Sequence, residues 1–168
     1  MAAGIPSIHV MAGVPGPEGK DKARRTFLSA LRYAATQAEP HGIVILIEPL
    51  NVRDAPGYHL TGTAQAESLI HEAGHANIRL MFDCYHMQIM EGDLTKRIER
   101  LLPIIGHIQI AGVPGRDEPD SGEVAYERLL PMIDALGYDG FIGAEYRPRG
   151  ATDEGLGWLE RFKGRGFQ

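Results

Sequence analysis

Along the chain, short unbroken apolar runs alternate with longer segments in which apolar residues return every third or fourth position. Ile5 to Met11 reads as a strand, and Asp21 to Glu39 then carries Ala23, Phe27, Ala30, Leu31 and Ala34 at helical spacing. After a "PHG" break, Ile43 to Ile47 is a continuous β-branched and aliphatic run, and Thr63 to Ala73 resumes helical spacing until Gly74 stops it. The alternation continues with a strand at Ile78 to Phe82, a helix near Leu94 to Leu102, a strand at His107 to Ile110, a helix at Ala125 to Leu136 and a strand at Gly140 to Tyr146. Strands that are apolar throughout are buried on both faces, and parallel strands need crossover connections of the kind these helices supply. The pattern predicts an α/β fold with five parallel strands, in a single domain over 1–168.

Composition narrows the classes. Hydrophobic residues make up 43% and charged residues 23% of the 168, as in an ordinary globular domain, and the net charge of −5 gives no footprint for nucleic acid. The longest apolar stretches, Ile43 to Ile47 and Leu101 to Ile105, fall far short of the roughly 18 residues of a membrane span. Met1 to Ile5 lacks the charged and long apolar regions of a secretory leader, and Cys84 is the only cysteine. The expectation is a cytoplasmic protein, with neither membrane nor nucleic acid as partner.

The rhythm also places chemistry. Near the C-terminal end of each of the last four strands stands a hard oxygen donor: Glu48 after "IVILI", Asp83 after "RLMF", Gln109 in "HIQI" and Glu145 in "FIGAE". In a parallel sheet the strand C-termini share one end, so the four side chains are expected to converge there. Three carboxylates brought together repel unless a cation lies among them. An all-oxygen set with one neutral amide favours Mg²⁺ or Mn²⁺ over Zn²⁺. Taken singly, Asp83 reads as a helix cap and Gln109 as an interior amide tied to backbone. Recurrence at equivalent places in four consecutive units is what capping does not explain.

His86 is expected on the turn beyond Asp83, leaning over the open face, where a neutral imidazole can donate to a substrate oxygen. His107 shares parity with Gln109 and reads as a core residue or a support for the ligands. His9, His41, His59, His71 and His75 read as ordinary structural or surface histidines, His9 least securely because it lies in the first strand.

The blocks "ILIEPLN", "PGYHLTGTAQA", "FDCYHMQIMEGDL", "GHIQIAGVPGRDEPDSGEVAY" and "GAEYRPRGATDEGLGWL" resemble the C-terminal part of the hydroxypyruvate isomerase family, which belongs to the xylose-isomerase-like (β/α)₈ TIM barrels. The similarity runs from about Gly4 to Trp158. It implies a divalent metal, Mg²⁺ or Mn²⁺, on Glu48, Asp83, Gln109 and Glu145, no nucleotide cofactor, and substrate contacts from His86 and Arg116, the basic residue in "VPGRDEP". The implied reaction interconverts hydroxypyruvate and tartronate semialdehyde through a metal-stabilised enediolate, with Glu48 and Glu145 as acid and base. The planar guanidinium of Arg116 suits the carboxylate of a small 2-oxo acid.

The resemblance also sets an expectation about completeness. A (β/α)₈ barrel typically needs about 250 residues, so five βα units are a partial barrel whose first three units are absent. Open sheet edges then favour a homo-oligomer. Rival readings are an isomerase or epimerase of a longer 2-oxo sugar acid or ketose, a catalytically silent chain with a binding role, and a metal-dependent endonuclease of the same superfamily. The last would need a basic groove and more histidine ligands than this acidic chain offers.

Overall fold

The structure is a computed structural model that describes residues 4–162. The start of Met1–Ile5 and the end of the domain expected over 1–168 lie outside the described residues. The chain divides into two compact units, one formed by Met1–Phe82 with Ile104–His107, the other by Asp83–Pro103 with Ile108–Gln168.

In the first unit, strands β1 (Ser7–His9), β2 (Val44–Ile47) and β3 (Ile78–Asp83, all but its last residue) pair in parallel, with Ser7 opposite Val44 and Ile45 opposite Ile78. Ile45, Leu46 and Ile47 are buried without alternation, as a strand covered on both faces requires. Helix α1 (Lys20–Ala38) buries Phe27, Leu28, Leu31, Ala35 and Ala38. That stripe lies beside the expected one: Ala30 is exposed, and Ala23 and Ala34 are only half-buried. Phe27 and Leu31 lie on the buried face as expected, joined there by Leu28, Ala35 and Ala38 rather than by Ala23, Ala30 and Ala34.

Helix α2 (Thr63–Ala73) packs on α1 and ends where Gly74 takes a left-handed conformation, φ 73°. Arg32 of α1 donates to the carbonyl oxygens of Glu72 (2.7 Å) and Ala73 (3.4 Å), satisfying acceptors that the end of α2 leaves open. The first half of strand β4 (Ile105–Ile110) also belongs here. A Cβ on Gly106 would come within 2.6 Å of Arg79 Cβ and 2.9 Å of Leu46 Cδ2, so only glycine lets these strands and side chains approach so closely.

In the second unit the rest of β4 pairs in parallel with β5 (Ile142–Ala144). Strand order through the sheet is therefore β1-β2-β3-β4-β5, the order of the chain. Helix α3 (Cys84–Met90) follows β3 at once, α4 (Leu94–Leu101) buries Leu94, Ile98 and Leu101 at helical spacing, and α5 (Tyr126–Ala135) buries Leu129, Leu130 and Ile133. A short α6 (Thr152–Gly155) runs on into a 3₁₀ turn over Leu156–Arg161. Tyr85, Ala111 and Val113 form a small core with Ile89, Val124 and Tyr146 against it. Tyr126 is fully buried, and its hydroxyl both accepts from the Ala111 N–H (3.3 Å) and donates to the Ala111 carbonyl (2.9 Å). Among the described residues no helix is long and apolar enough to cross a membrane.

Candidate functional site

The first unit contributes Glu48, which leaves the end of β2 and is only 5% exposed. His9, at the end of β1, brings its Nδ1 to 3.7 Å from Glu48 Oε2. The expectation had set His9 among ordinary histidines. The rule that found Glu48, a polar residue closing an apolar run, also selects His9. Nearby, the Tyr58 hydroxyl accepts from the Ala12 N–H at 2.8 Å, and its pKa is raised by burial first and then by the negative charge of Glu48. His107 is half-buried, and burial lowers its pKa, favouring neutral imidazole.

The second unit holds the other five expected residues. Asp83 is 1% exposed and caps α3: its Oδ1 accepts from the N–H groups of Tyr85 (2.7 Å) and His86 (3.3 Å). Its Oδ2 makes no hydrogen bond among the described residues and lies 3.6 Å from Arg116 Nη2 and 3.8 Å from His86 Nε2. The cap thus occupies Oδ1 and leaves Oδ2 facing Arg116 and His86. Burial pushes this carboxyl up to about 6, against the Arg116 guanidinium and the two N–H donors, which pull it down.

His86 is not on an open turn as expected. It lies in the first turn of α3 and is 2% exposed, because the helix begins immediately after Asp83.

Arg116 stands in a left-handed conformation, φ 58°, in a loop whose Gly112 has no room for a Cβ against the Asp117 carboxylate. Its N–H donates to the Gly112 carbonyl (2.7 Å), its Nη2 donates to Glu145 Oε2 (2.8 Å), and its guanidinium carbon lies 5.0 Å from the centre of the Tyr85 ring. Glu145 itself is tied to the sheet by its N–H to the Ile110 carbonyl (3.1 Å), while its side chain is 58% exposed. Gln109 Nε2 donates to Glu145 Oε2 (3.2 Å), and Gln109 Oε1 is a buried oxygen with no hydrogen bond among the described residues.

Within this unit, then, Asp83, His86, Gln109, Arg116 and Glu145 are linked in one network. Glu48, Asp83 and His86 are each buried and each offers an atom suited to a metal. Two buried acceptor oxygens that make no hydrogen bond among the described residues, Asp83 Oδ2 and Gln109 Oε1, are suited to a hard cation.

A sheet of parallel strands in chain order, crossed over by helices and carrying acidic residues at the strand C-termini, defines the class: an α/β protein with part of a (β/α)₈ barrel. The family model for the xylose isomerase-like TIM barrel matches residues 2–162, and the chain belongs to that family. It is 50% identical over 159 residues to the 2-oxo-tetronate isomerase of Cupriavidus necator, covering 94% of this chain and 61% of the relative. It is 40% identical over 163 residues to the hydroxypyruvate isomerase of Escherichia coli, covering 96% and 63% respectively. The crystal structure described as AP endonuclease, family 2, from Brucella melitensis superposes with a TM-score of 0.90 at 41% identity, over 94% of this chain and 61% of that one. The chain thus spans somewhat less than two thirds of these relatives' length.

Proposed function

We propose that the chain carries the catalytic residues of an isomerase for short 2-oxo acids bearing a hydroxyl on C3, with hydroxypyruvate and 2-oxo-tetronate as the substrates to try. One observation carries the reading: two buried acceptor oxygens, Asp83 Oδ2 and Gln109 Oε1, make no hydrogen bond among the described residues and lie in one network with the cation Arg116. The relatives named 2-oxo-tetronate isomerase and hydroxypyruvate isomerase support the same chemistry.

The reaction moves a carbonyl from C2 to C3, so one proton leaves C3 and another arrives at C2. Glu48 and Glu145 are assigned as the pair that takes and returns it. Arg116 takes the substrate carboxylate on its planar fork, with the Tyr85 ring and Glu145 setting its direction. His86, buried against Asp83, donates to the substrate oxygen on which negative charge collects. Glu48, Asp83, Gln109 and Glu145 are assigned to hold Mg²⁺ or Mn²⁺, which when bound supplies Lewis-acid stabilisation of that charge.

The test is exchange of the substrate C3 hydrogen with D₂O in the presence of Mn²⁺, followed by NMR. The chain should catalyse exchange. Glu48→Gln and Glu145→Gln should each lower turnover by about 10² to 10⁴, and one of them should abolish exchange. Wild-type rates in both variants would reduce the two glutamates to ligands and overturn the acid–base assignment.

A further inference from the structure

Glu118 lies outside the network just described and is nevertheless 2% exposed, rare for a carboxylate unless it is paired. Its Oε1 accepts from the backbone N–H of Arg149 (3.0 Å), and its Oε2 accepts from Arg149 Nε (2.7 Å). Arg149 also reaches Asp120 Oδ1 at 3.4 Å. These contacts join the loop that carries Arg116 to the segment leaving β5 just after Glu145. A backbone bond from the Arg147 N–H to the Arg116 carbonyl (2.7 Å) joins them again. Gly155 also lies against this carboxylate: a Cβ added there would come within 2.8 Å of Glu118 Oε1.

We infer that Glu118 is a positioning residue: gripped by Arg149, its buried carboxylate fastens the Arg116 turn to the strand exit and so aims the Arg116 guanidinium. The inference rests on the reading of Arg116 as the substrate-carboxylate group. Glu145 does not depend on this clamp to the same degree, because its own N–H is bonded to Ile110 within the sheet. Among the described residues, no backbone hydrogen bond joins Arg116 to a strand. It holds a left-handed turn that an arginine does not favour, so the contacts around it must enforce the geometry. Loosening Glu118 should therefore act on substrate binding more than on turnover.

Two substitutions in the full chain test this. Glu118→Gln keeps the shape and removes the charge facing Arg149. Gly155→Ala leaves every charge in place and presses on the carboxylate. In both, backbone amide exchange at Arg116 and Arg147, read by mass spectrometry or NMR, should speed up relative to β4. With Mn²⁺ and hydroxypyruvate, KM should rise about tenfold with kcat within twofold, inside the ~10² that a 1 Å misplacement costs. Unchanged amide exchange in both variants would overturn the clamp. Faster exchange with KM unaltered, or an equal fall in kcat alone, would overturn its role in aiming Arg116. If the wild-type chain proved inactive on both 2-oxo acids, the functional reading would fail while amide exchange still decided the clamp.

Discussion

Asp83 shows how the two oxygens of one side chain face different partners, Oδ1 the N–H groups that open α3 and Oδ2 Arg116 and His86. Its place before a helix made the cap legible in the sequence, and its place after a strand suggested a ligand, but nothing in the sequence tells which oxygen the cap would use. His9 and His86 show the opposite limit: whether a histidine meets water or a carboxylate depends on where neighbouring strands end, which single-chain periodicity does not encode. Asp83 also sets a pH dependence. With its folded pKa raised from 3.8 to about 6, the folded metal-free chain holds this proton more tightly than the unfolded chain does. Stability must then fall as pH rises from about 4 to about 6, and the loss persists above. Asp83→Asn keeps an oxygen for the cap and removes the buried charge. In urea denaturation without metal, the variant should match wild type near pH 4 and exceed it above pH 6. In Mn²⁺ titration calorimetry it should bind more weakly. Parallel stability curves would show that Asp83 ionises alike in both states, and unchanged Mn²⁺ affinity would remove it from the ligand set.

At the scale of the element, α2 was legible to the residue, since apolar spacing and Gly74 bound it at both ends. The parallel sense of the strands was legible too, because unbroken apolar runs separated by helices need crossover connections; their order in the sheet was implied only by the barrel resemblance. Helix α3 was not. Its first four residues, Cys84 to Met87, are all buried, so no polar face interrupts the pattern and no period emerges from seven residues. The ends of β5 were overestimated for another reason: Phe141, Ile142 and Tyr146 favour a strand, yet Gly143, Ala144 and Glu145 between them do not, pairing stops at Ala144 and the chain turns to meet the Arg116 loop. Gly74 offers a clean test of the helix boundary. A Cβ there would touch nothing within 4 Å, so Gly74→Ala should cost only the backbone penalty of a left-handed conformation. That is about 1 kcal/mol, read as a lower urea midpoint at unchanged slope; no shift would mean that α2 ends elsewhere.

For the molecule as a whole, the chain is similar to relatives about 61% of whose length it spans, and its sheet has β1 and β5 as edges. Exposed apolar side chains lie on or beside both: Ile8 in β1 is 40% exposed, and Phe141, just before β5, 83%. Unpaired strand edges beside apolar surface favour association. Sedimentation velocity should show concentration-dependent self-association, reduced by Phe141→Lys; a single monomeric species throughout would count against open edges. Tyr126 has a consequence at this scale as well. Enclosed with both polar groups of Ala111, its phenol is kept protonated in the folded chain, because burial raises its pKa above the ordinary value of 10. The stability tied to it is complete below about pH 10 and drains away as alkali is added. The hydroxyl thus behaves as an indicator dye sealed inside the fold. In an alkaline titration its phenolate absorbance should rise together with the loss of helical ellipticity, and that share of the colour should vanish in Tyr126→Phe.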